Sequence, residues 1–253
     1  MSESWTTRYF DTVYLRRWSL GPPNDEVYRH VDFLLRQLSA VAGETLLDVG
    51  CGQGRYSLAF AGRGLRVTGL DSSAVLLCEA RRLAVETDTQ VNWIHGDMRD
   101  IPSTIVYDYA VLFDAFGFFD SDQENENVIR RITMVVGMQG RVVLAVANGL
   151  RILSAFEPCG REERDGRIVE VRRELDTVRR LVREEVTVEE HGRRDVAERR
   201  QRLYSNTELT DIVMHAGLTV CSRYGDLGGG PFDEATSEKI VLICKREHGS
   251  NHA

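Results

Sequence analysis

The spacing of hydrophobic positions changes several times along the chain, and each change marks an element. Trp5, Tyr9, Phe10, Tyr14 and Trp18 crowd the first eighteen residues. Phe10, Tyr14 and Trp18 stand at i, i+4 and i+8, the spacing of one helix face, and predict an aromatic helical lid over residues 1–23. After the Gly21-Pro22-Pro23 break, Asn24 or Asp25 caps a helix whose apolar face is Val27, Val31, Leu34, Leu35, Leu38 and Val41. From residue 45 short apolar runs alternate with helical periodicity. Strands are predicted at 45–49, 66–70, 90–94, 107–113 and 141–147, and helices at 55–63, 73–86 and near 124–136. Such alternation builds a parallel sheet from βαβ units.

The pattern then breaks. Residues 161–202 hold 13 Arg and 12 acidic residues with no long apolar face. Partial period-two alternation (Val169, Val171; Val186, Val188) and the Glu190-His191-Gly192-Arg193 turn predict exposed antiparallel strands, an inserted unit over 159–202. Its arginines Arg193, Arg194, Arg199, Arg200 and Arg202, interleaved with acids, are expected on a solvated strand surface. Ser205 and Glu208 form a capping box before Leu209, Ile212, Val213 and Ala216, with Gly217 closing that helix. Strands at 218–224 and 239–245 follow, joined through Gly228-Gly229-Gly230-Pro231 by a link too short for a crossover helix, so this last pair should be antiparallel. Residues 24–158 and 203–253 then form one sheet domain around the insert.

Composition narrows the function classes. Apolar residues at 42% and charged residues at 28% describe an ordinary globular chain. A net charge of -7 repels polyphosphate backbones, so nucleic acid is not an expected partner. No apolar run is long enough to span a bilayer, and residues 1–10 lack a basic segment followed by an apolar one. A cytoplasmic protein without membrane contact is expected. Cys51, Cys78, Cys159, Cys221 and Cys244 are scattered with no C-x-x-C pair, which predicts reduced thiols and no metal site. Whether copies associate as a homo-oligomer is left open.

The chemistry concentrates where strands end. Leu46-Leu47-Asp48-Val49-Gly50-Cys51-Gly52-Gln53-Gly54 is an apolar strand running into glycines and then a helix. Glycines let the backbone turn tightly and let a ligand approach where a Cβ would obstruct it. Dinucleotide sites use G-x-G-x-x-G to seat a pyrophosphate; here the spacing is G-x-G-x-G and Asp48 directly precedes it. That acid suits a ligand with ammonium and sulfonium groups. The other reading is a tight β-α turn with no ligand. Asp71 ends the second strand, where a carboxylate can take both ribose hydroxyls or merely cap the helix after Ser72-Ser73. Asp97 follows the third strand, placed to accept from an adenine amino group with Met98 against the ring, or to serve as a solvated turn acid.

On these residues the chain resembles the class I S-adenosylmethionine-dependent methyltransferases, whose first motif Asp48 to Gly54 matches residue by residue. Gly96-Asp97-Met98-Arg99-Asp100-Ile101-Pro102, Phe116-Gly117-Phe118-Phe119, the helix after Ser205 and the stretch from Tyr224-Gly225-Asp226 to Pro231-Phe232 are similar to a bacterial small-molecule subgroup that includes natural-product sugar and amine N-methyltransferases. The chain departs from it in reading Met138-Gln139-Gly140 where Gly-Gly is frequent. The resemblance implies an α/β fold. Its doubly wound, mostly parallel seven-stranded, Rossmann-like sheet has the last strand antiparallel and carries an antiparallel β insert and an N-terminal helical lid. It implies S-adenosyl-L-methionine as cofactor and S-adenosyl-L-homocysteine as product, with Asp48, Gly50, Cys51, Gly52, Gly54, Asp71, Ser72, Asp97, Met98 and Phe113 as cofactor-binding candidates. It also implies methyl transfer to a small molecule, an amine nitrogen preferred. O- or C-methylation, cyclisation of the cofactor and a nicotinamide-dependent oxidoreductase are the alternatives.

An in-line displacement draws most of its catalysis from positioning, and a general base matters only where the acceptor must lose a proton. The candidates near the methyl are Tyr9 and Tyr14 of the lid, Asp114, Phe116 and Phe118 after the fourth strand, and Asn148 after the fifth. For the aromatics, plain core packing is the competing reading. His30 and His95 are expected as packing or surface residues. Phe113-Asp114-Ala115-Phe116 stands where nucleic-acid methyltransferases carry an Asn/Asp-Pro-Pro-aromatic run.

Overall fold

The strands that read as continuous apolar runs are those covered on both faces. In the computed structural model, which describes residues 4–18, 21–164 and 166–247, the first five strands are Thr45–Val49 (β1), Arg66–Asp71 (β2), Asn92–His95 (β3), Tyr107–Phe113 (β4) and Val136–Ala147 (β5), of which the edge strand β3 stays partly exposed. The inserted strands are Cys159–Arg164 (β6), Arg167–Asp176 (β7), Leu181–Glu190 (β8) and Arg193–Arg202 (β9), and the chain closes with Leu218–Tyr224 (β10) and Lys239–Arg246 (β11). The main sheet has the order β10-β11-β5-β4-β1-β2-β3. Only β11 is reversed, antiparallel to β5 and to β10. The expected doubly wound sheet with its antiparallel last strand is therefore observed.

Helices cover both faces. Asp25–Leu38 (α3) and Arg55–Gly62 (α4) pack Val27, Val31, Leu34, Leu38 and Phe60 on one face. Asp122–Val135 (α6) and Asn206–His215 (α8) pack Val128, Ile129, Ile132, Leu209 and Val213 on the other. Ala74–Glu86 (α5) follows β2, and the short Gly149–Ser154 (α7) follows β5. Asn24, Ser73, Ser121 and Ser205 each accept a hydrogen bond from a first-turn amide, and the Ser205–Glu208 capping box is complete.

Several expectations shift. Helix α3 stops at Ser39, which adopts a left-handed conformation, so Val41 lies beyond it and is exposed. Strand β3 starts at Asn92, two residues late, and β5 follows α6 without a loop, starting at Val136. The N-terminal helix is α-helical over Trp5–Arg8 (α1), π-helical over Tyr9–Tyr14 and α-helical again over Leu15–Arg17 (α2). A π-helical stretch alters the residue spacing, and the fully buried side chains are Tyr9 and Val13, while Trp18 is exposed. The predicted Phe10, Tyr14, Trp18 face is corrected accordingly. Residues 1–3 and 19–20 of the expected lid, Asp165 of the insert and residues 248–253 lie outside the described residues.

The insert is a four-stranded antiparallel sheet in the order β6-β7-β8-β9. Its inner face buries Val169, Val171, Val186, Val188 and Ala197 against Tyr9 and Val13, with Trp5, Phe10 and Tyr14 packed alongside. Arg16 bonds Asp195, and Ser73 at the start of α5 bonds Asp11, so the N-terminal helix bridges insert and main sheet. Among the described residues, no helix is long and apolar enough to cross a membrane.

Candidate functional site

A cavity of about 1840 Å³ lies between the carboxyl ends of the parallel strands, the N-terminal helix and the inner face of the insert. Open α/β sheets bind ligands at this edge. Of the expected residues, Tyr9, Tyr14, Gly50, Gly52, Asp71, Ser72, Asp97, Met98, Phe113, Asp114 and Phe118 line it.

The glycine loop is shaped by its neighbours as well as by any ligand. Gly50 and Cys51 donate their amides to the Leu70 carbonyl at 2.8 and 3.1 Å. A Cβ on Gly50 would stand 2.5 Å from Ala115, and one on Gly54 would stand 2.5 Å from Trp93. At Gly52 (φ +55) nothing lies within 4 Å of the Cβ position, so the backbone is open to the cavity there. Gly54 therefore serves packing, while Gly52 leaves its backbone open to the cavity.

Asp71 braces this loop. Its Oδ2 accepts from the Gly52 amide at 2.8 Å and its Oδ1 from the Ser73 amide at 2.8 Å. Burial raises its carboxyl above the usual range, opposed by these amide bonds. Each oxygen retains acceptor capacity toward the cavity. Asp97 caps the short turn Met98–Asp100 and is gripped by Arg99, whose Nη2 stands at 2.7 Å. Arg99 also bonds Glu124 at 2.8 Å and lies 4.5 Å over the Phe119 ring. Asp97 is thus a turn-capping carboxylate, held by Arg99, at the rim of the cavity.

Asp114 sits just past β4 with φ +55. Both of its oxygens accept from Lys239 Nζ at 2.6 Å. Burial pushes the Tyr14 hydroxyl up to about 12, with the charges of Tyr9, Asp114 and Asp71 adding to it, so Tyr14 stays a neutral donor. Phe118 packs edge-on against Trp5 and Phe10, with ring centroids 6.2 and 5.7 Å away.

Five expected residues lie behind the cavity wall. Asp48 is buried beneath the loop and accepts from the Ser57 hydroxyl at 2.5 Å. Asp48 is therefore not at the cavity surface, whereas Asp71 lines it. The buried Cys51 thiol lies toward Gly69, under the loop. Gly54 packs under Trp93, as above. Phe116 is core, packed on Tyr204 at 5.0 Å. Asn148 is fully buried and committed: its amide donates to the Glu234 and Ser237 carbonyls at 2.9 and 3.0 Å, and its Oδ1 accepts from the Leu150 amide at 3.2 Å. It holds the loop before β11, which removes it from the catalytic candidates.

Sequence reasoning missed two features. Lys239, the partner of Asp114, sits 125 residues away and carries no local signal. Arg17, Arg173, Glu184 and Arg199 also line the cavity. Arg199 lies over Phe118 at 5.2 Å and bonds Glu184 at 2.5 Å. The expectation of a solvated surface fails for Arg202, 17% exposed and bonded to Glu208, and for Arg199. Arg199 shares strand parity with buried Ala197, and that parity was the available signal.

Among the described residues no cluster of three or more His, Cys, Asp or Glu could hold a metal ion. Residues 46–140 match the family model described as a methyltransferase domain. The ubiquinone biosynthesis O-methyltransferase of Serratia proteamaculans is 34% identical over 143 residues, covering 55% of this chain and 59% of that protein. The chain thus spans less than two thirds of the length of that relative. The CcbJ methyltransferase of Streptomyces caelestis shares the fold with a TM-score of 0.83 at 20% identity, over 97% of this chain and 100% of that one. CalS10, an amino pentose methyltransferase from Micromonospora echinaspora, solved with S-adenosylmethionine bound, gives 0.67 at 21% identity over 97% and 100%. At these identities the structural likeness speaks to the fold.

Proposed function

We propose, from the premise that this chain carries a class I S-adenosylmethionine-dependent methyltransferase domain, that it transfers a methyl group to a small-molecule acceptor, preferably at an amine nitrogen. The carrying observation is one cavity bounded by the open Gly52 backbone and Asp71 on one side and by Tyr9, Tyr14 and Phe118 on the other. The residues suit the cofactor. Gly52 leaves room beside the backbone, and Asp71, Asp97 and Asp114, which outnumber their cationic neighbours Arg99 and Lys239, give that wall the sign that complements ammonium and sulfonium groups.

When bound, S-adenosylmethionine supplies a methyl on a sulfonium, open to in-line displacement. Asp71 would hold the ribose hydroxyls, Asp97 and Met98 the adenine, and Gly50, Gly52, Ser72 and Phe113 the remaining contacts. Cys51, Gly54 and Asp48 support the loop from beneath. Tyr14, kept neutral, donates a hydrogen bond to the acceptor. Asp114, whose oxygens also hold Lys239, would take a proton from an incoming ammonium. Phe10 and Phe118 present aromatic faces that favour cationic groups and exclude water.

The amine preference draws on the motif resemblance and on CalS10, whose name specifies an amino sugar. Oxygen is the second reading, favoured by the O-methyltransferase of Serratia proteamaculans. A mass-spectrometric screen of matched amines and alcohols with the protein and S-adenosylmethionine tests both. Amines should gain one methylene in mass. Gain on alcohols alone selects oxygen, and a cofactor-derived product without any acceptor refutes transfer.

A further inference from the structure

One cross-strand row on the inner face of the insert is charged where its neighbours are apolar. Register places Arg173 opposite Glu184 and Glu184 opposite Arg199. The next row inward is Val171, Val186 and Ala197, all buried. Glu184 is 5% exposed and takes Arg173 at 2.8 Å and Arg199 at 2.5 Å. Arg17 of α2 approaches the same carboxylate at 3.8 Å. Three guanidinium groups therefore share one carboxylate. On the outer face of the same strands the charges match one for one: Arg172 stands opposite Glu185, Glu174 opposite Arg183, and Arg200 bonds Glu198 at 2.6 Å.

The Arg17, Arg173 and Arg199 side chains are 11, 24 and 23% exposed, and charge held partly from water in excess of its partners is relieved by a counter-ion in the cavity. Each guanidinium has five N–H donors in a planar fork that matches a carboxylate or phosphate. Glu184 and Gln201, the latter 2.5 Å from Arg199, brace these forks without using all their donors. Across the cavity the balance reverses: Asp71, Asp97 and Asp114 outnumber their cationic neighbours Arg99 and Lys239. The volume of about 1840 Å³ exceeds the roughly 300–1,000 Å³ of a single-ligand pocket, so cofactor and acceptor fit together with opposite charge at the two ends.

We propose that Arg17, Arg173 and Arg199 form an oxyanion subsite for the acceptor, which carries a carboxylate or phosphate away from the atom that is methylated. This rests on the reading of the cavity as a methyl-transfer site.

Calorimetry on the full chain saturated with S-adenosylhomocysteine, titrated with citrate, with inorganic pyrophosphate and with neutral triethyl citrate, is the test. At least one oxyanion should bind and triethyl citrate should not. Preference for citrate assigns a carboxylate, and preference for pyrophosphate a phosphate. Arg199→Met and Arg173→Met should each weaken binding by about tenfold or more. Glu184→Gln, which removes the internal competitor, should tighten binding, whereas simple damage to the sheet would weaken it. Absence of oxyanion binding, or binding that survives in both arginine variants, overturns the proposal. So does an Arg199→Met protein that loses S-adenosylhomocysteine affinity, because the row would then serve the cofactor's own carboxylate. Failure of S-adenosylhomocysteine to bind the wild-type chain is read separately at the saturation step and would refute the proposed function, and this inference with it.

Discussion

Replacing Asp48 by asparagine should stabilise the cofactor-free protein, and increasingly so as the pH rises. The carboxyl is 3% exposed under the glycine loop. Burial is the main force that lifts it from 3.8 to about 7; the Ser57 hydrogen bond opposes the shift and the charge of Asp71 adds to it. An acid whose folded pKa lies above its unfolded value binds more protons when folded. Its contribution to stability is therefore fully present below 3.8 and is lost as the pH climbs through about 7. At about 1.36 kcal/mol per pH unit, the span from 3.8 to about 7 amounts to about 4 kcal/mol as an upper bound. Asparagine keeps the shape, accepts the Ser57 bond through Oδ1 and never ionises. Urea denaturation of wild type and Asp48→Asn at about pH 4, 6 and 8 reads this group together with its coupling to Asp71, since the distant titrations are common to both proteins. The variant should gain up to about 4 kcal/mol over wild type at the highest pH and little at the lowest. A stability difference that stays flat with pH would refute the reasoning.

Other substitutions separate cavity residues from those behind it. Asp71→Ala removes the acceptor for the Gly52 and Ser73 amides, and calorimetry should show S-adenosylhomocysteine affinity falling by about 1.5–3 kcal/mol; unchanged affinity would refute its role. Gly52→Ala should weaken cofactor binding more than it lowers the melting temperature. Gly54→Ala, whose Cβ would strike Trp93, should do the reverse. Asn148→Ala loses three buried hydrogen bonds and should cost about 2–4 kcal/mol in urea denaturation, with turnover per folded molecule unchanged. Asp114→Asn should lower turnover on an ammonium acceptor by about tenfold or more, with S-adenosylhomocysteine affinity preserved in calorimetry.

What was legible in the chain was local. Strands β1 and β4 announce themselves because most of their side chains are apolar and buried, and β2 through buried Val67 and Leu70. Asn24, Ser73 and Ser205 mark helix starts because a side-chain oxygen satisfies a free amide within three residues. Asp71 was legible because its strand end and its distance from the glycines fix its place. The rest depends on contacts distant in sequence. Asn148 has the look of a catalytic amide at a strand end, yet carbonyls nearly ninety residues away occupy it. Asp48 reads as a ligand-facing acid, but strand alternation turns it into the layer beneath the loop. In the insert, charge alone suggests solvent. Only the register shows that Arg173, Glu184 and Arg199 share the face of the buried valines, and that the N-terminal helix closes over them. The π-helical stretch at Tyr9–Tyr14 moves the buried positions off the predicted face, and no residue within it signals the change.

The central claim, that the glycine loop and Asp71 cradle S-adenosylmethionine, is tested most directly by parallel calorimetric titrations with S-adenosylmethionine, S-adenosylhomocysteine and NAD. The account predicts micromolar binding of the first two and none of NAD. Binding of NAD alone would contradict it.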